Sequence, residues 1–144
     1  MVHLCGKGKT DKSFENKEGY VQFEYAGKEL RDMFALSSLV ISRAGANAIC
    51  ELLALHKPNI LIPLSAAASR GDQILNARSF EKQGYSYVIE EENLTKETLD
   101  AAIKKVMTEK ETYISNMKSS QQLDSIHTIL KLIEEASEKK KKKA

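Results

Sequence analysis

The chain's 144 residues (16.1 kDa), 42% hydrophobic and 29% charged, suffice for one domain with its own core. The formal charge of +2 rests on five lysines at residues 139–143; without them the 22 basic residues fall to 17 against 20 acidic ones, a balance of −3. A mildly acidic body argues against a nucleic-acid-binding domain, and no apolar run approaches the roughly 20 residues that a membrane-spanning helix needs.

Residues 2–6 (VHLCG) read as a short strand entering a turn, followed by a Lys- and Gly-rich polar segment to Gly19. A second strand is expected over residues 20–25 and a helix over 29–37. Residues 39–41 (LVI) are apolar and rich in β-branched side chains, the pattern of a buried parallel strand. Ser42 and Arg43 break that run, and Ala44-Gly45-Ala46 is small enough for a tight turn and for close approach of a ligand to the backbone. From Ala46 the period turns helical, with Ile49, Leu52 and Leu53 facing inward, until Lys57-Pro58 ends it. Cys5 and Cys50 fall in elements expected to be buried and lack metal-ligand spacing, so they read as core thiols rather than a disulfide.

A strand, a glycine turn and a helix N-terminus together make an anion site, because the free N–H groups of the first turn and the macrodipole both favour phosphate. Asn47 and Glu51 stand four residues apart, on one face opposite the apolar stripe. Glu51 leans back toward Gly45, where a carboxylate can accept both hydroxyls of a ribose behind a bound diphosphate. It reads equally as a solvated helix carboxylate, since such turns recur across α/β domains.

Residues 59–63 (NILIP) form the next buried strand, and residues 64–71 (LSAAASRG) a loop of small side chains. Asp72 is expected to N-cap a helix running to about Lys82. A last strand covers residues 86–90, and a helix begins at Thr95 with Thr-x-x-Thr in place of a true capping box. A final helix over residues 121–136 carries Leu123, Ile126, Ile129, Leu130 and Ile133 on one face. Strands alternating with helices imply a doubly wound, parallel α/β sheet. Ligands in such sheets sit beyond the carboxyl ends of the strands, where Gly27, Gly45 and the 64–71 loop are expected.

Two segments, ISRAGANAICELLALHKPNILIPL and SRGDQILNA, resemble the C-terminal, donor-binding half of the MurG glycosyltransferases (family 28, GT-B architecture). The similarity runs from residue 2 to at least residue 91. A more distant resemblance is to the small eukaryotic subunit of the dolichol-linked N-acetylglucosaminyltransferase, a lone domain of this type. The first resemblance implies a Rossmann-like domain that binds UDP-N-acetylglucosamine for transfer to lipid I, giving lipid II in peptidoglycan synthesis. It implies a cytoplasmic protein, peripheral on the inner face of the cell membrane, with no cofactor. It places the donor on Arg43, Gly45, Ala46, Asn47, Ala48 and Glu51, with Glu51 on the ribose. Gln73 and Asn76 match the family's sugar-binding helix start, where Asp72 replaces a glutamine but can still accept hydrogen bonds from a sugar. Backbone groups near Ala26 and Gly27 match the loop that holds uracil. His3, Gly6 and Gly8 match an HxxGxG segment, in which His3 reads first as a residue that packs or caps the turn. Arg70 reads equally as a phosphate partner or a solvated charge.

No catalytic dyad or triad can be assembled from the sequence, and there is no Asp-x-Asp and no Cys/His cluster. The resembling enzymes carry an acceptor-binding domain and its proposed base ahead of this half. The chain is therefore expected to be a fragment or split homologue: donor domain over residues 1–136, basic tail over 137–144, and an acceptor domain as its missing partner. A different class remains open, a non-catalytic nucleotide-sugar or partner-binding module, or the single-domain subunit of a split transferase. The apolar stripe of the final helix is expected either to self-associate or to pack on the domain's own sheet. The lysine tail is solvated or attracted to an anionic membrane surface.

Overall fold

The computed structural model describes residues 1–120, so the helix expected over 121–136 and the lysine tail lie outside the described residues. The chain divides into two compact units, one of residues Met1–Ser38 and one from Leu39 onward.

In the first unit, β1 (Val2–Leu4) and β2 (Val21–Phe23) pair in parallel, with Val2 opposite Val21 and Leu4 opposite Phe23. The pairing continues past the ends of both strands, through Cys5 N–H to Phe23 O at 2.8 Å and Gly6 N–H to Glu24 O at 3.1 Å. Gly6 (φ +90°) then turns the chain into a polar loop with a single 3-10 turn at Lys12–Phe14, capped by the Asp11 carboxylate on Ser13 N–H. Helix α1 (Leu30–Leu36) closes the unit.

In the second unit, β3 (Val40–Ser42), β4 (Asn59–Leu61) and β5 (Tyr87–Val88) form a parallel sheet in the order β3-β4-β5. Central β4 is buried throughout, the polar Asn59 included with the apolar Ile60 and Leu61. Around it stand α2 (Ala46–Ala54), the single turn α3 (Ala66–Ser69), α4 (Asp72–Lys82), α5 (Lys96–Thr108) and α6 (Lys110–Lys118). The core combines Ile60 and Leu61 of β4 with Ile49, Leu52 and Leu53 of α2, Ala77 and Phe80 of α4, Ala102 and Val106 of α5, and Tyr113 and Met117 of α6. Each buried Leu or Ile contributes roughly 1.5–3 kcal/mol over its exposed state. Asn59, itself buried, donates to Lys57 O (2.9 Å) and Tyr85 O (3.3 Å), tying the starts of β4 and β5 together.

Helix α2 ends as a Schellman motif: Lys57 N–H reaches Leu52 O and His56 N–H reaches Leu53 O, with His56 in the left-handed region (φ 49°) that glycine usually occupies. Helix α5 starts with a reciprocal pair, Thr98 N–H to Thr95 Oγ1 (3.2 Å) and Thr95 N–H to Thr98 Oγ1 (2.8 Å). Thr-x-x-Thr thus closes a capping box by itself, the threonine hydroxyl reaching back where a glutamate usually would.

Several expectations need correction. The strands fall into two parallel sheets rather than one. Ile41 is 41% exposed, because β3 lies at the edge of its sheet and its apolar run does not imply burial on both faces. Cys50 is exposed and Cys5 half-buried, so neither is a core thiol; both are free. Asp72 is the first helical residue of α4 and Gly71 (φ 87°) its N-cap, so the aspartate meets the helix dipole rather than capping the turn. Helix α6 has no counterpart among the expected elements.

Gly84 offers a direct test of this packing. Its φ of +70° suits glycine, its carbonyl accepts Asn116 Nδ2 at 3.1 Å, and an added Cβ would stand 2.5 Å from that nitrogen. Gly84→Ala is expected to destabilise the chain by about 1–2 kcal/mol, from the left-handed backbone and the displaced Asn116. Urea unfolding followed by circular dichroism measures it; an unchanged midpoint would show that the α4–β5 turn is free to relax.

Candidate functional site

The carboxyl ends of β3, β4 and β5 lead into three turns, where Arg43, Gln73 and Asn76 make their contacts, while Asn47 and Glu51 stand on the helix that follows β3. Helix α2 begins at Ala46 with Gly45 as its N-cap and no side chain capping it. The first intrahelical bond is Ile49 N–H to Gly45 O at 3.1 Å, which leaves the N–H groups of Ala46, Asn47 and Ala48 without an intrahelical acceptor. Gly45 itself has φ −67° and ψ 141°, a conformation open to any residue. A Cβ built there meets no atom of the chain within 4 Å. Neither backbone strain nor crowding demands a glycine, and the position is open toward solvent for a close-approaching group.

Asn47 and Glu51 are both exposed, on the side of α2 away from the buried Ile49, Leu52 and Leu53. Glu51 lies six residues beyond Gly45, roughly 9 Å along the axis, and side chains lean toward the helix start. Donor N–H groups and a free carboxylate thus follow one another along one exposed face.

The other predicted residues hold the turns themselves. Arg43 donates Nη1 to Ile62 O at 3.2 Å and pairs Nη2 with Glu91 Oε1 at 2.8 Å. Asn76 Nδ2 donates to Ala44 O at 3.1 Å, fixing the β3–α2 turn against α4. Gln73 Oε1 accepts Leu64 N–H at 3.0 Å, and Glu91 Oε2 accepts Ser65 N–H at 3.2 Å, so the loop after β4 is held at two successive amides. The Arg43 guanidinium, then the Ser65 N–H, hold the Glu91 carboxyl below its usual range. Asp72 is exposed at the start of α4. Arg70 (φ 55°) and Gly71 (φ 87°) are consecutive left-handed residues just before it, and Arg70 carries the less favourable backbone of the two.

Gly27 belongs to the first unit, where its N–H donates to Glu29 Oε2 at 3.1 Å. His3 Nδ1 stands 2.7 Å from the Tyr20 hydroxyl, in keeping with a packing role at the turn. Glu91 was not singled out by sequence reasoning; its place just after the last strand, at the same sheet edge as Arg43, was the available signal. The second unit also encloses depressions of about 280 Å³, lined by residues including Arg78, Tyr87 and Glu90, and about 220 Å³, lined by Pro63, Ser65, Ile74, Glu90, Glu91 and Glu92. Neither includes Gly45, Asn47 or Glu51.

A transferase named UDP-N-acetylglucosamine–N-acetylmuramyl-(pentapeptide) pyrophosphoryl-undecaprenol N-acetylglucosamine transferase, from Lachnoclostridium phytofermentans, is 65% identical over 135 residues, covering 94% of this chain and 38% of its own length. Relatives of the same name from Lachnospira eligens (62% identical, 95% and 39% covered) and Geobacillus thermodenitrificans (58%, 93% and 38%) follow the same pattern. The chain thus spans less than two fifths of these relatives. The crystal structure of Acinetobacter baumannii MurG superposes with a TM-score of 0.69 at 18% identity, over 83% of this chain and 37% of that one, and establishes the shared fold. The model of the glycosyltransferase family 28 C-terminal domain matches residues 1–141, and the chain belongs to that family.

Proposed function

We propose that this chain is the UDP-N-acetylglucosamine-binding half of a transferase that adds N-acetylglucosamine to lipid I, giving lipid II. The observation that carries the reading is the uncapped start of α2 at an open glycine, with Asn47 and Glu51 exposed on the same helix. Names of relatives 55–65% identical point to the same donor and acceptor. In this reading the diphosphate lies on the Gly45, Ala46, Asn47 and Ala48 amides and the ribose on Glu51. The sugar faces Asp72, Gln73 and Asn76. Negative charge grows on the diphosphate as the glycosidic bond breaks, and the α2 amides and dipole stabilise it. A second domain supplies the lipid I site and the base, and the assembled enzyme works at the cytoplasmic face of an anionic membrane. Among the described residues, no helix is long and apolar enough to cross it.

Calorimetric titration of the 144-residue chain with UDP-N-acetylglucosamine is expected to show saturable one-site binding, with no response to GDP-mannose at the same concentration. Lipid I-dependent turnover is expected to be absent until the acceptor domain is added in trans, because positioning of the two substrates supplies a large part of such a rate. Absence of any UDP-N-acetylglucosamine binding would overturn the reading. Turnover by the chain alone would refute the division of labour between domains.

A further inference from the structure

We propose that Glu91 is a positioning residue that sets the loop of residues 64–71 against the Gly45 turn, and that Arg43 acts through Glu91 rather than by gripping phosphate. The inference rests on the reading of this edge as a UDP-N-acetylglucosamine site, and assigns within it what holds the sugar side in place.

Glu91 follows β5 and uses its two carboxylate oxygens on two different turns. Oε1 takes the Arg43 guanidinium at 2.8 Å, just after β3; Oε2 takes the Ser65 N–H at 3.2 Å, just after β4. Arg43 in turn donates to Ile62 O at the end of β4. One carboxylate and one guanidinium therefore link the ends of all three strands of the sheet. The neighbouring Glu90 is engaged elsewhere, with the Arg78 guanidinium, which also pairs with Glu81 at 2.6 Å. Glu91 is therefore the residue of the two whose contacts reach the β3 and β4 turns.

The division of labour follows from which backbone each contact holds. The Gly45 turn is fixed independently, by Asn76 on Ala44 O. Residues 64 and 65 are fixed by Gln73 and Glu91. Losing Glu91 therefore frees the loop after β4 while leaving the α2 amides where they are. A ligand that ends at its diphosphate does not sense the change, and one that extends past it toward the loop does. Arg43, with its charge already met by Glu91, has little left to offer a second anion.

The test compares UDP with UDP-N-acetylglucosamine, titrated into the full chain and its Glu91→Ala, Glu91→Gln, Arg43→Ala and doubly alanine-substituted variants. Affinity for UDP-N-acetylglucosamine is expected to fall about five- to tenfold in Glu91→Ala, as for loss of a charged hydrogen bond and a half-exposed ion pair. Affinity for UDP is expected to hold within twofold. Glu91→Gln keeps an acceptor for Ser65 N–H and is expected to recover part of the loss. The double variant is expected to lose no more than the worse single one, since the two residues act as one device. A UDP affinity that falls in Arg43→Ala by as much as that for the sugar nucleotide would return Arg43 to the phosphate and overturn the inference. So would losses that add in the double variant. A parent chain that binds neither ligand would instead overturn the site reading itself, and the inference with it.

Discussion

Replacing Glu51 with alanine is expected to weaken UDP binding about ten- to a hundredfold and to leave the unfolding midpoint of the chain unchanged. Glu51 is exposed in the middle of α2, away from the buried Ile49, Leu52 and Leu53, and no described residue pairs with its carboxylate. Folding therefore loses little, and alanine is the better helix former. Binding loses the hydrogen bonds from two ribose hydroxyls to a charged acceptor, together roughly 1.5–3 kcal/mol for a carboxylate that water can rehydrate on an exposed helix face. Glu51→Gln preserves the shape and one acceptor oxygen, and is expected to retain part of the affinity. Equilibrium titration with UDP, beside urea unfolding of the same preparations, separates the two effects. If Glu51→Ala binds UDP as the parent does, or if it unfolds, the residue is structural and the ribose lies elsewhere.

Local signals in the sequence carry much of the second unit. Helix α4 runs over Asp72–Lys82, as the polar start and the spacing of Ala77 and Phe80 require. Helix α2 starts at Ala46 because Gly45 can end the strand turn and the Ile49, Leu52, Leu53 period begins directly after it. Burial is less legible, since it depends on neighbours distant in sequence. Ile41 reads as a core residue until β3 is seen to be an edge strand. The exposure of Cys50 follows from helix geometry: one 100° step from Ile49 carries it off the inward stripe. Helix α6 carries little local signal, because Tyr113 and Met117, one turn apart, are its only buried residues in a polar stretch.

The site divides the same way. Gly45, Asn47 and Glu51 were legible because strand, turn and helix are contiguous, and their geometry follows from helical spacing alone. Arg43, Gln73 and Asn76 were recognised through resemblance, but what they touch was not. Asn76 meets a carbonyl 32 residues earlier, and Arg43 a carboxylate 48 residues later. Such contacts exist only once the parallel sheet has aligned its strand ends. Glu91 stayed invisible for that reason, as one of four consecutive acidic or amide residues with nothing local to distinguish it.

Gly45→Val is expected to reduce UDP affinity more than about a hundredfold while costing the fold no more than about 1 kcal/mol. The usual objection, that a glycine in a turn is there for its backbone, does not apply: φ is −67° and ψ 141°, values that valine adopts freely. Nor is the added Cβ crowded, because no atom beyond the adjoining residues lies within 4 Å of its position. What remains is the poorer N-cap preference of valine, offset in part by the lower entropy of the unfolded chain. Outside the protein the change is severe. Two branched methyl groups stand where a diphosphate must approach the Ala46, Asn47 and Ala48 amides, and losing even two such charged hydrogen bonds exceeds 2.7 kcal/mol, roughly a factor of a hundred. Gly45→Ala, with one methyl group, is expected to fall between valine and the parent. The two substitutions thus grade steric access to the amides with the helix itself intact. A valine variant that unfolds would expose a structural demand on Gly45, and one that folds and binds UDP normally would show that the diphosphate does not sit on α2.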